Sequence, residues 1–161
     1  MHSEIYHLSE QLGRALLQKS ATVTSAESCT GGGVAQAITA IAGSSAWFNR
    51  SFVTYANSAK QEMLGVDAAL LEEHGAVSEP VVISMAAGAA QRADADYAVA
   101  ISGIAGPDGG TEDKPVGTVW FAWAGPEGVS AQRHLLSGDR HAVREQAVEI
   151  SLKQLLHHIA G

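Results

Sequence analysis

The run Ala21-Thr22-Val23-Thr24-Ser25-Ala26 leads straight into Glu27-Ser28-Cys29-Thr30-Gly31-Gly32-Gly33, and helical spacing resumes at Val34, Ala37, Ile38 and Ile41 before Gly43. This is a short strand, a tight glycine turn and an amphipathic helix in immediate succession. A strand that feeds directly into a helix has to pack that helix back onto its own sheet. The chain is thereby directed towards an α/β architecture.

The same alternation continues in both directions. Ile5, Leu8, Leu12, Ala15 and Leu16 form one face of a helix over Ser3 to Lys19, with Ser3 as its cap. Ser44 caps a short helical turn, and Ser51 to Tyr55 reads as a strand. Asn57 caps a helix from Ser58 to Leu64 that Gly65 closes, and Asp67 to His74 is a second short helix ending at Gly75. Ser78-Glu79-Pro80 opens a longer helix, with proline placed in the first turn. Its interior, Val81 to Arg92, is rich in alanine and so suited to close packing. Asp96 to Ser102 is a short, nearly continuous apolar run, as expected of a strand covered on both faces. Gly117 to Ala124 and Val129 to Leu136 read as a hairpin joined by Gly125-Pro126-Glu127-Gly128, and Asp139 caps a last helix carrying Val148, Leu152, Leu155 and Ile159. The expected fold is a three-layer α/β/α domain with a mixed, mainly parallel sheet and a late antiparallel hairpin.

Length and composition narrow the function classes. Residues 1–161 fit one domain. The net charge of −7, with the ten basic residues scattered, argues against a nucleic-acid surface. The segment from Met1 to Gln18 lacks the form of a signal peptide, and no apolar stretch is long enough to span a membrane. A single cysteine, Cys29, excludes an internal disulfide and suits the cytoplasm. The alanine-rich helix is compatible with a homo-oligomer. His2, His7, His74, His134, His141, His157 and His158 show no metal-ligand spacing, and Trp47, Trp120 and Trp123 read as core or interface residues.

Three places could carry chemistry. Ser28 stands at a strand-to-helix junction among N–H groups without helical partners, where an oxyanion or a phosphate would be held. The local alternative is that Ser28 or Thr30 only caps the helix, and the sequence lacks the Gly-x-Ser-x-Gly elbow. Cys29 is a second candidate nucleophile if the helix start lowers its pKa, set against an inert buried thiol. Tyr55 with Lys60 forms the next candidate, since burial near a helix start would favour the neutral amine as a base; the alternative is a solvated lysine. The third is the loop Gly103-Ile104-Ala105-Gly106-Pro107-Asp108-Gly109-Gly110, either a ligand loop after a central strand or a structural turn.

Taken together, Ala26-Glu27-Ser28-Cys29-Thr30-Gly31-Gly32, Phe52-Val53-Thr54-Tyr55-Ala56-Asn57 with Lys60, His74-Gly75-Ala76-Val77-Ser78, Gly103 to Gly110 and Lys114-Pro115-Val116-Gly117-Thr118-Val119 form an ordered set. In that set the chain resembles the CinA C-terminal domain family in its stand-alone form, the nicotinamide mononucleotide (NMN) deamidases. The resemblance implies hydrolysis of the NMN carboxamide to nicotinic acid mononucleotide and ammonia, without metal or cofactor. It implies Ser28 as nucleophile, Lys60 as general base and Tyr55 as an aid to proton transfer or orientation. The substrate would meet Cys29, Thr30, Gly31, Gly32, Gly103, Gly106 and Arg140, with the N–H groups of Cys29 and Thr30 as oxyanion donors. A nucleotide-binding module without catalysis is the alternative.

Overall fold

The computed structural model describes residues 3–160. Met1, His2 and Gly161 lie outside the described residues, and with them the start of the segment read above for a signal peptide and the residues preceding Ser3.

The elements follow in the order α1 (Ser3–Lys19), β1 (Val23–Glu27), α2 (Gly33–Thr39), a 3-10 turn (Ser44–Ala46), β2 (Phe52–Val53), α3 (Asn57–Leu64), α4 (Ala68–His74), α5 (Glu79–Ala93), β3 (Tyr97–Gly103), β4 (Thr118–Gly125), β5 (Gly128–Leu135) and α6 (Arg140–Ala160). The five strands make one sheet in the order β2-β1-β3-β4-β5. β1 pairs in parallel with β2 and β3, whereas β4 is antiparallel to both β3 and β5. Strand β4 alone therefore runs against the other four, which gives the mixed, mainly parallel sheet with a terminal hairpin that the sequence implies.

The two faces of the sheet are built from different residues. Val99, Ile101, Val119, Phe121 and Trp123 join a core with α1, α2 and α6, including Leu12, Leu16, Ile38, Leu152 and Leu155. Their alternating neighbours Ala98, Ala100, Ala122 and Ala124 face Val81, Val82, Met85, Ala86 and Ala89 of α5. Small residues on both sides let α5 lie close to the sheet, so the alanine-rich helix packs against a strand surface of the same composition. Bulk on one face compensates for its absence on the other. Each fully buried Val, Leu, Ile or Phe contributes about 1.5–3 kcal/mol. Trp47 and Trp123 are core residues as expected, the latter donating its indole N–H to the Ser151 carbonyl at 3.2 Å.

Several local signals act where expected. Asp67 accepts from the Ala69 N–H at 3.0 Å and Asp139 from the Ala142 N–H at 2.9 Å, so both cap their helices. Other boundaries differ. Ala56, not Asn57, is the N-cap of α3, and Gly43 precedes the 3-10 turn that Ser44 was expected to cap. Strand β2 keeps only Phe52 and Val53 of the expected Ser51 to Tyr55, because the carbonyls of Thr54 and Tyr55 are turned to a side chain instead of a neighbouring strand.

Connectivity decides where a ligand can go. The chain leaves β1 through α2 on one face to reach β2, then passes through α3–α5 on the other face to reach β3, on the opposite side of β1. Carboxyl ends of β1, β2 and β3 thus share one edge, with a change of winding direction at β1. In open α/β sheets the crevice at such a point is the binding position.

Candidate active site

Ser28 is the first residue beyond β1, and its N–H donates to the Ile101 carbonyl of β3 at 3.0 Å. This bond ties the turn to the central strand. Lys60 comes from the first turn of α3, only 1% exposed, and its Nζ lies 3.0 Å from the Ser28 Oγ. The same nitrogen donates to the carbonyls of Thr54 at 2.8 Å and Tyr55 at 3.1 Å. Burial pulls the Lys60 pKa from 10.5 down to about 8.

That arrangement has a chemical consequence. A neutral amine has two N–H bonds and one lone pair. Two carbonyls occupy the two N–H bonds, so the lone pair is left for the third neighbour, the Ser28 hydroxyl. Once protonated, the ammonium can donate to all three. Ser28 and Lys60, far apart in sequence, are thus placed as nucleophile and base would have to be.

The capping alternative for Ser28 and Thr30 fails. The N-cap of α2 is Gly32, with no side-chain cap, and the Thr30 hydroxyl donates to Glu27 Oε1 at 2.7 Å. Glu27, part of the Ala26 to Gly32 motif, carries a role that its sequence position did not reveal. It is fully buried and accepts from Thr30, from the Val34 N–H at 2.9 Å, from Ser25 at 3.0 Å and from the Ala35 N–H at 3.0 Å. The chain's own carboxylate therefore fills the N-terminus of α2, where a substrate phosphate was envisaged. The available clues were an acidic residue closing a β-prone run and hydroxyl residues on either side of it.

Cys29 contributes its backbone. The side chain belongs to the core under α1, α2 and α6, and burial pushes the thiol up to about 11. Burial thus acts against the lowered thiol pKa that a helix start was expected to give Cys29. Among the described residues, the N–H groups of Cys29 and Thr30 make no hydrogen bond with the rest of the chain, while that of Ser28 is already committed to Ile101.

A second cluster joins three residues expected at the site. The Arg140 guanidinium, at the start of α6, donates to the Gly106 carbonyl at 2.7 Å and to the Tyr55 hydroxyl at 3.3 Å. Tyr55 is 64% exposed. Its carbonyl, not its phenol, touches Lys60, so its orienting influence on the base runs through the main chain. Gly103 ends β3 opposite Val119, and Gly31 and Gly32 form the turn before α2. Among the described residues, no group of three or more His, Cys, Asp or Glu side chains is gathered for a metal ion. No helix among them is long and apolar enough to cross a membrane.

Fold and site together define an α/β domain with a buried serine–lysine pair at the switch point of its sheet. Residues 5–159 match the CinA C-terminal domain, and the chain belongs to that family. It is 63% identical over 154 residues to the Escherichia coli K12 protein named nicotinamide-nucleotide amidohydrolase PncC, covering 95% of this chain and 93% of that one. A Pseudomonas putida protein of the same name is 52% identical over 149 residues, with 92% and 93% covered. Among solved structures, a CinA superfamily protein from Klebsiella pneumoniae superposes with a TM-score of 0.93 at 42% identity, over 97% of this chain and 98% of that one. The competence/damage-inducible protein CihA from Agrobacterium tumefaciens gives 0.93 at 40% identity, over 100% and 98%.

Proposed function

We propose that this chain is a nicotinamide-nucleotide amidohydrolase that converts NMN and water to nicotinic acid mononucleotide and ammonia. The names of the near-full-length relatives support the reaction. The observation that carries the mechanism is the buried Lys60 nitrogen 3.0 Å from the Ser28 hydroxyl.

Neutral Lys60 takes the Ser28 proton as Oγ attacks the carboxamide carbon. The tetrahedral oxyanion lies against the N–H groups of Cys29 and Thr30, neither of which is hydrogen-bonded to another of the described residues. Lys60 then passes its proton to the departing amide nitrogen, which leaves as ammonia. Water attacks the acyl-enzyme with Lys60 again taking a proton, and the Ser28 Oγ is released with that proton restored. The substrate phosphate falls to Arg140 and the Gly103–Gly106 segment, since the α2 terminus is occupied by Glu27. The single cysteine supports a cytoplasmic setting, and the net charge of −7 supports the absence of a nucleic-acid partner.

Ammonia release from NMN tests the reading. The wild-type protein should turn over, and Ser28→Ala and Lys60→Ala should each lose about 10³-fold or more in kcat. Full activity in Ser28→Ala would remove it as nucleophile. Saturable NMN binding without turnover by the wild type would favour a binding module.

A further inference from the structure

We infer that Arg144 is a positioning residue for the oxyanion donors: its guanidinium, reaching from α6 to the back of the Ser28 turn, fixes the peptide plane that presents the Thr30 N–H to the reacting carbonyl. The inference rests on the amidohydrolase reading above.

Arg144 Nε donates to the Cys29 carbonyl at 3.0 Å, and a terminal guanidinium nitrogen reaches the Thr30 carbonyl at 3.4 Å. In a trans peptide the C=O and the following N–H point to opposite sides of one plane. Holding the Cys29 oxygen towards α6 therefore turns the Thr30 N–H away from α6. The neighbouring plane is held as well. Its carbonyl, that of Thr30, receives Arg144, and its N–H, that of Gly31, donates to the Ser28 carbonyl at 3.1 Å. Beyond the turn, Glu27 anchors the Thr30 hydroxyl. Two of the three planes following Ser28 are thus gripped by one cation.

Gly31 supplies a separate observation. It has φ +58°, and a Cβ placed there would sit 3.1 Å from the Arg144 guanidinium. A side chain at this position would therefore crowd the guanidinium where it approaches the turn. Arg140, one helical turn earlier, serves the Tyr55 and Gly106 rim. The first two turns of α6 therefore reach both parts of the site with different arginines.

A preorganised donor acts on the transition state more than on bound substrate. Arg144→Ala should lower kcat for NMN by about 10- to 100-fold, a part of the loss seen when an oxyanion donor is removed outright, with KM changed less than about threefold. The acid limb of the rate profile should stay in place, because Arg144 does not touch Lys60. Arg144→Lys, able to reach one carbonyl, should recover kcat by several-fold over Arg144→Ala. Thermal melting accompanies each variant, and if Arg144→Ala does not fold, Arg144→Lys against wild type decides, with a kcat-specific loss expected. Unchanged kcat, a loss confined to KM, or a shifted acid limb would overturn the inference while leaving the parent reaction intact. A wild-type protein that releases no ammonia would instead defeat the reading on which it rests.

Discussion

At Lys60 two opposing requirements meet in one side chain. The base has to be neutral to accept the Ser28 proton, yet the ammonium must be tolerable once it has. Burial supplies the first by pulling the pKa to about 8, and the Thr54 and Tyr55 carbonyls supply the second. The charged form predominates below about pH 8, so kcat/KM for NMN should fall about tenfold per pH unit there and level off above it. A profile flat from pH 6 to 9 would show that another group limits the rate. Glu27 poses the converse problem, a buried carboxylate with four donors converging on it. Glu27→Gln substitutes an amide N–H₂ for one acceptor oxygen and sets it against existing donors. The cost should be about 2–4 kcal/mol of folding stability, measurable by denaturant titration. A loss under 1 kcal/mol would mean that the turn can rearrange around the amide.

Among the elements, α3 matters most to the site because it brings Lys60 to Ser28. Its position depends on α5. A Cβ at Gly88 of α5 would lie 2.1 Å from the Leu64 carbonyl at the end of α3, so the helices touch backbone to backbone. Gly88→Ala should push them apart, at about 1–3 kcal/mol of stability. Displacing Lys60 by even 1 Å should cost up to about 100-fold in rate. Melting and ammonia release on the same sample check both, and a variant with wild-type stability and rate would show that the contact has slack. These interactions explain which elements the sequence made legible. Helices α1, α4, α5 and α6 and strands β3–β5 follow from apolar period, caps and glycine stops, all local signals. The truncation of β2 and the shift of the α3 cap were not legible, because the decisive partner of the Thr54 and Tyr55 carbonyls is a lysine side chain. Ser28 and Lys60 could be singled out as residue types, but their 3.0 Å approach is a product of topology. Glu27 and Arg144 stayed hidden for a related reason: Arg144 meets main-chain carbonyls, and Glu27 meets two main-chain N–H groups beside the Ser25 and Thr30 hydroxyls, at positions no spacing rule reports.

Across the whole molecule, the winding change at β1 assembles the site, and the site in turn bears on folding stability. Lys60 has a pKa of 10.5 when solvated and about 8 when folded. Between those values the unfolded chain binds the extra proton, so native stability rises with pH through the window. As pH falls, this contribution disappears, and below about 8 the protein folds around a buried ammonium. The shift corresponds to about 3 kcal/mol at its full extent. Lys60→Met keeps most of the side-chain volume and removes the titration, although it leaves the Thr54 and Tyr55 carbonyls without their donor. Its stability relative to wild type at any single pH therefore mixes two effects of opposite sign. The pH dependence of the difference is cleaner, since every other titrating group is shared by both proteins. Denaturant unfolding at pH 7.5 and again near pH 10.5 should show wild type gaining on Lys60→Met by roughly 2–3 kcal/mol. A gap that stays constant, or moves the other way, would mean that Lys60 is not the low-pKa amine on which the proposed chemistry depends.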